Sequence, residues 1–362
     1  MNLIIGLGNA GTQVVKLAAK SKRLDDVKMY VIDSVTSSLD MASIAAIKPI
    51  PIISDDKAGS GRNRERGRAM FEYHDNNGAF DELYKDATEA KSPVIVITSA
   101  AGGTGSGSTP ALIKRLLGMD VTVIPIIICP SMSDPDTFHM NAMDLMVELG
   151  EMGVSTYSIF RNAERGVDYD PINKDIVNVI EIVFGKRYHN LTNRDTIDDS
   201  DLDSLFDIPG RFIALTVEAS DINTLKKELI RKVLTGYQPA WTPEEAENTT
   251  IARAYSLTSM FASKDYDDVF EELNARMGSG RFEEFKNVTD DDNNGVCVAT
   301  VIVAGLPHAA MKEVTGDFKT ADGIAAGMKK STRPSFMNAK KASITKANPK
   351  DGSARSKFNW KK

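Results

Sequence analysis

The chain has 362 residues, 42% of them hydrophobic and 26% charged, with a formal net charge of −6, a composition that excludes a fibrous or wholly disordered protein and leaves room for two cored domains. Its longest apolar run, residues 121–129, is far too short to cross a bilayer. The start of the chain lacks a basic leader, and Cys129 and Cys297 sit in separate apolar stretches where they read as packed small side chains rather than as a redox pair or metal site. A cytosolic protein without a membrane partner is the expectation.

Taken in order, Leu3-Ile4-Ile5 predicts a strand, followed by Gly6-Leu7-Gly8-Asn9-Ala10-Gly11 and a helix beginning near Thr12. A second strand, Met29 to Ile32, ends in Asp33. Together these make a GxGxxG fingerprint with an acid at ribose-binding distance, which opens the reading of an NAD-dependent Rossmann oxidoreductase. The four histidines are scattered, however, and offer no hydride-transfer set. A second glycine loop, Gly59-Ser60-Gly61-Arg62-Asn63-Arg64, is followed closely by Arg66 and Arg68, cations suited to a terminal phosphate.

Residues 93–98 predict a buried parallel strand, and Ser99 to Thr109 then form the densest glycine loop of the chain. Gly102, Gly103, Gly105 and Gly107 let backbone amides converge, while Thr104, Ser106 and Ser108 add hydroxyls ahead of a helix in which Pro110 is expected in the first turn. The loop is no ordinary P-loop, since no Gly-Lys-Ser/Thr follows. A dinucleotide fold needs one pyrophosphate turn; this chain carries three glycine loops.

Beyond them, 121–129 predicts a strand leading to Asp134, and Thr156 to Phe160 a strand leading to Asn162. An amphipathic helix over 172–184 opens at Asn173, with Ile176, Val179, Ile180 and Val183 on one face. Residues 195–207 form an acidic loop in which Asp198 and Asp201 have Asp-x-x-Asp spacing, with Asp199 and Asp203 as alternatives. An EF-hand is a poor competitor, because Ser204 stands where the turn glycine belongs. After Pro209 the pattern becomes a compact mixed α/β region: strands at 212–217, 251–261 and 296–303, and helices at 223–234 and 266–277. A weak helical signal lies at 321–328. The last stretch, 329–362, has eleven Lys/Arg and one Asp, so it carries +10 and leaves −16 on the body. Its composition predicts a disordered basic tail with an anionic partner such as DNA, a DNA-bound adaptor or a neighbouring subunit.

The loop Ala101-Gly-Gly-Thr-Gly-Ser-Gly-Ser108 resembles the GGGTGSG signature of the tubulin/FtsZ superfamily, and Gly59 to Arg68 resembles the family's third nucleotide loop. The resemblance covers roughly residues 3–215, and Asp136 to Ala142 looks like the plasmid and phage tubulins. It implies an α/β protein: a Rossmann-like parallel-sheet GTPase domain (1–170), a long central helix (171–187), a catalytic-loop region (188–210), a smaller mixed α/β C-terminal domain (211–328) and the tail (329–362). It further implies a homopolymer filament that binds GTP/GDP with Mg²⁺, hydrolyses GTP between subunits, and moves or positions plasmid or phage DNA in a bacterial or phage-infected cytoplasm.

By that resemblance Gly8, Asn9, Ala10, Gly11 and Gln13 face the α and β phosphates. Gly61, Arg62 and Asn63 sense the γ-phosphate, Gly102 to Ser106 form the signature, Asp134 holds the ribose, and Asn162 and Asn173 read the base. Asp198 and Asp201 would enter the pocket of the next subunit. The basic residue that FtsZ places shortly after the ribose acid is absent, and Phe138 stands near its position. A scaffold with vestigial hydrolysis is the alternative.

Overall fold

A computed structural model describes residues 1–39, 45–54, 59–164, 167–186, 199–239, 249–257, 260–277, 281–288 and 295–307. The elements are β1 (Asn2–Leu7), α1 (Gly8–Ala18), β2 (Val27–Asp33), β3 (Ile47–Pro51), α2 (Arg64–Asn76), α3 (Asp81–Thr88), β4 (Val94–Ser99), α4 (Thr104–Leu117), β5 (Val123–Cys129), α5 (Asp136–Glu151), β6 (Thr156–Arg161), α6 (Asp170–Val183), α7 (Asp199–Phe206), β7 (Gly210–Ala219), α8 (Ile222–Thr235), β8 (Thr250–Leu257), α9 (Ser263–Met277), β9 (Arg281–Val288) and β10 (Cys297–Leu306). Among the described residues the strands form one sheet in the order β3-β2-β1-β4-β5-β6-β7-β10-β8-β9.

From β3 to β7 every pairing is parallel, and the central strands β1, β4, β5 and β6 are buried on both faces. The alternation of side chains across the pleat divides each strand between two cores. On β1, Leu3, Ile5 and Leu7 join the core containing α3, α4 and α5, while Ile4 joins the one containing α1, α6 and α7. On β4, Val94 and Val96 take the first side and Ile95 and Ile97 the second. The unbroken apolar runs noted in the sequence are therefore two-sided central strands.

The C-terminal strands form no separate sheet. β6 and β7 pair in parallel at Thr156 with Gly210 and Tyr157 with Arg211, and Ser158 Oγ reinforces the join by donating to Phe212 O at 3.2 Å while accepting from the buried Gln238 side chain at 2.8 Å. Past β7 the pairing turns antiparallel, β7 with β10 and β10 with β8, and then parallel again between β8 and β9. A third core under α8 and α9 includes Leu225, Leu229, Val269 and Leu273.

Several expectations need correction. The helix expected near Thr12 begins at Gly8, and the one expected at Pro110 begins at Thr104 with Pro110 inside it. The acidic stretch expected as a loop is helix α7 from Asp199, anchored by buried Leu202, Leu205 and Phe206. The proposed helix at 321–328, the tail and Asp198 lie outside the described residues.

Candidate nucleotide site

The strand order fixes where a ligand can sit. From β1 the chain steps one way to β2 and β3, and from β4 the other way to β5 and β6. The crevice of such a sheet lies at the carboxyl ends of the strands on either side of this reversal. Gly8 follows β1 and Gly105 follows β4, and they meet there: Gly8 has φ +67°, and a Cβ added to it would lie 3.1 Å from the Gly105 nitrogen. Only glycine takes that conformation without strain while another backbone lies so close. Asn9 and Gln13 follow on the exposed face of α1, joined by Gln13 Nε2 donating to Asn9 Oδ1 at 3.3 Å, with Ala10 half-buried between them.

The loop before α2 closes onto the same place. A Cβ on Gly103 would lie 2.6 Å from the Asn63 nitrogen and 2.7 Å from the Arg62 carbonyl carbon. Thr104 Oγ1 is shared by Ser34 Oγ at 2.7 Å and Ser60 Oγ at 2.9 Å, so the ends of β2 and of both later glycine loops meet at one buried hydroxyl cluster. Asn141, on α5, donates to Arg62 O at 3.1 Å and to Ala101 O at 3.0 Å. Ser106 Oγ donates to Gly102 O. By contrast, Cβ atoms on Gly61 and Gly102 would meet nothing within 4 Å; these two glycines border open space.

The helices α1, α2 and α4 begin at these loops, and each start presents unpaired amides and a positive dipole end. Asn63 caps α2, its Oδ1 accepting from Arg66 N at 2.9 Å. Three further sequence-predicted residues lie along the same edge. Asp134 follows β5, accepting from Ser131 N at 2.9 Å. Asn162 follows β6, its Oδ1 accepting from Ala163 N at 3.1 Å, and Asn173 lies in the first turn of α6. From β2 to β6 is four strand spacings, about 19 Å.

Two arginines read as phosphate ligands are engaged elsewhere. Arg64, 9% exposed, contacts Glu148 at 3.2 Å and donates to Ser106 O at 3.1 Å. Pro110 lacks the N–H that would normally pair with that carbonyl, so the guanidinium repairs a helix defect. Arg68 also pairs with Glu148. Burial would raise the Glu148 carboxyl, but the hydrogen bond from Arg68 and the charge of Arg64 outweigh it and hold it below its ordinary value. The guanidinium of Arg62 is instead at the rim, 4.6 Å from the centre of the Phe138 ring. Arg62 itself has φ 65°, an uncommon left-handed conformation for a side chain of that size.

Asp33 is not placed as a ribose ligand. It is 2% exposed, accepts from Ser34 N at 2.7 Å and Ser38 Oγ at 2.5 Å, and burial raises its carboxyl despite these hydrogen bonds and one from the Val35 amide. The acid that ends β2 is thus not exposed to a ligand, as a dinucleotide reading needs.

Asp201 is at the other end of the molecule. Its helix α7 carries Asp203 and Phe206 into a groove with Lys91-Ser92-Pro93 and Val121-Thr122, the residues that lead into β4 and β5. Leu202 and Asp203 meet Met1 and Asn2, the start of β1, in an adjoining groove. The glycine loops occupy the carboxyl edge of the sheet and α7 the amino edge, separated by the length of β4, about 17 Å.

This arrangement agrees with the comparisons. Residues 2–164 match the Tubulin/FtsZ family, GTPase domain. The described fold superposes on the Haloferax volcanii CetZ2 GTPγS-bound protofilament structure with TM-score 0.70 and 19% identity, over 90% of this chain and 100% of that one. A GTPγS-form protofilament of Bacillus thuringiensis serovar israelensis TubZ gives TM-score 0.68 and 17% identity, over 94% of each chain. In sequence, the tubulin-like protein CetZ2 of Haloferax volcanii is 27% identical over 188 residues, 48% of this chain and 51% of that protein. The matched stretch thus spans about half the length of that relative. TubZ stands among the structural matches, as the sequence suggested, and the CetZ proteins stand beside it.

Proposed function

We propose that the chain binds GTP in the crevice between β1 and β4, assembles head to tail with copies of itself, and hydrolyses GTP at each contact. The observation that carries this reading is the separation of the glycine loops from the acidic helix α7. The loops stand at one edge of the sheet and α7 at the other, too far apart to act within one chain. A head-to-tail repeat brings opposite edges of successive subunits together.

In such a contact, backbone amides of Gly8 to Gly11 and Gly102 to Ser106, helped by three helix starts, would hold the phosphates and stabilise charge developing on them. The open space at Gly61 and Gly102 leaves their backbone accessible to a phosphate. Asp134, Asn162 and Asn173 follow along the edge as ribose and base partners, an amide suiting the base because it both donates and accepts. Asp201 of the neighbour, with Asp198, would orient the attacking water; phosphoryl transfer demands mainly positioning and charge stabilisation.

For Mg²⁺, the described residues include no group of three or more His, Cys, Asp or Glu able to form a cage, and the polar atoms at the loop junction are the Ser34, Ser60 and Thr104 hydroxyls. This donor set fits an ion that arrives on the nucleotide, keeps most of its waters and supplies charge neutralisation there.

GTPase rate per molecule should rise steeply with protein concentration and fall to background in Asp201→Ala; a flat specific activity would remove the shared-site reading. For the cellular role we propose positioning of plasmid or phage DNA in the cytoplasm of a bacterium or infected cell, supported by the +10 charge of residues 329–362 against a −16 body. Deleting 329–362 should abolish binding to DNA or a DNA-bound adaptor while polymer assembly survives; unchanged binding would sink that role.

A further inference from the structure

We infer that Arg62 supplies the cation for the terminal phosphate, and that Phe138 and Asn141 are positioning residues that hold it ready, so that this trio sets the preference for tri- over diphosphate. The inference rests on the nucleotide reading above and deepens it. The Phe138 ring, on α5, lies under the Arg62 guanidinium, with 4.6 Å to the ring centre, so an aromatic face on α5 holds the cation of the loop before α2.

Three observations converge on the assignment. First, Phe138 and Asn141 are three residues apart in the opening turns of α5, hence neighbours on one helix face. They grip Arg62 at both ends, the ring under its guanidinium and the amide donating to its carbonyl at 3.1 Å. Second, the same Asn141 amide donates to Ala101 O at 3.0 Å, tying the position of Arg62 to the signature loop. Third, Gly61 and Arg62 are consecutive left-handed residues, with φ 60° and 65°. A non-glycine residue persists there when its surroundings over-determine it, a pattern characteristic of ligand clamps. A guanidinium stacked on a ring keeps the N–H groups of its planar edge available for a phosphate.

The test compares wild type, Arg62→Ala, Phe138→Ala, the double variant and Phe138→Tyr as full-length chains below the polymerising concentration, titrating each with GTPγS and with GDP. Phe138 is only half-buried, and melting curves confirm that each variant is folded. Arg62→Ala and Phe138→Ala should each weaken GTPγS about tenfold, the scale of a partly desolvated cation–π contact. GDP affinity should stay within about twofold, and the double variant should be no weaker than Arg62→Ala, because both changes remove one interaction. Phe138→Tyr, which keeps the ring, should restore wild-type discrimination. Equal losses for both nucleotides, or losses that add in the double variant, would overturn the assignment. Failure of wild type to bind either nucleotide would overturn the nucleotide reading itself, a result that no variant is needed to see.

Discussion

Gly103 and Gly102 are adjacent, identical in type and opposite in surroundings. A methyl on Gly103 would lie 2.6 Å from the Asn63 nitrogen and from Ser60 Oγ, whereas one on Gly102 would meet nothing within 4 Å. Gly103→Ala should therefore cost about 1–3 kcal/mol through forced backbone movement, read as a lower denaturation midpoint, and lose GTPγS binding as the loops part. Gly102→Ala should leave stability within about 0.5 kcal/mol yet still weaken GTPγS, because the added methyl occupies ligand space. Unchanged affinity in the folded Gly102→Ala protein would show that no ligand presses on that backbone. The sequence displayed both glycines as one loop; which one packs against protein and which faces a ligand depends on the α2 loop folding back from forty residues away, which spacing does not express.

At the scale of elements, α4 shows how a helix boundary can mislead. Pro110 favours a first-turn reading, but the helix starts six residues earlier, at Thr104, because Arg64 supplies the missing donor to Ser106 O. An unsatisfied buried carbonyl would cost about 1–3 kcal/mol. Arg64 is held in turn by Glu148, whose folded carboxyl lies below its ordinary value because the Arg68 and Arg64 contributions outweigh burial. Stability from this pair is complete above the unfolded glutamate value and is lost as pH falls through the lower folded one. Acidification from pH 6 towards pH 3 (about the ordinary glutamate range and below) should thus destabilise wild type more than Glu148→Gln, measured by denaturant midpoints. Parallel midpoint curves for the two proteins would exclude this linkage. The two strands that sequence reading missed, β3 and β9, are the two edges of the sheet. Pro49 and Pro51 mask β3, and the charged sequence Arg281-Phe-Glu-Glu-Phe-Lys-Asn-Val288 masks β9. Prolines and charges are how edge strands avoid further pairing, so the features that protect an edge also remove its apolar signature.

For the whole molecule, the alternation of apolar strand, glycine loop and helix made the parallel sheet readable, since two-sided burial produces uninterrupted β-branched runs. The continuity of the sheet into the C-terminal strands was not readable: it depends on two residue pairs between β6 and β7 and on Ser158 reaching Phe212 across 54 residues. The sheet order then gives the site its place, because the reversal between β1 and β4 brings Gly8 against Gly105. It also puts α7 at the opposite rim. In the proposed polymer this opposition makes a row of copies a record of its own assembly. The last copy at the loop-bearing tip holds an intact triphosphate until a newcomer arrives to cut it, so the state of the phosphates along the row tells how recently each junction was made.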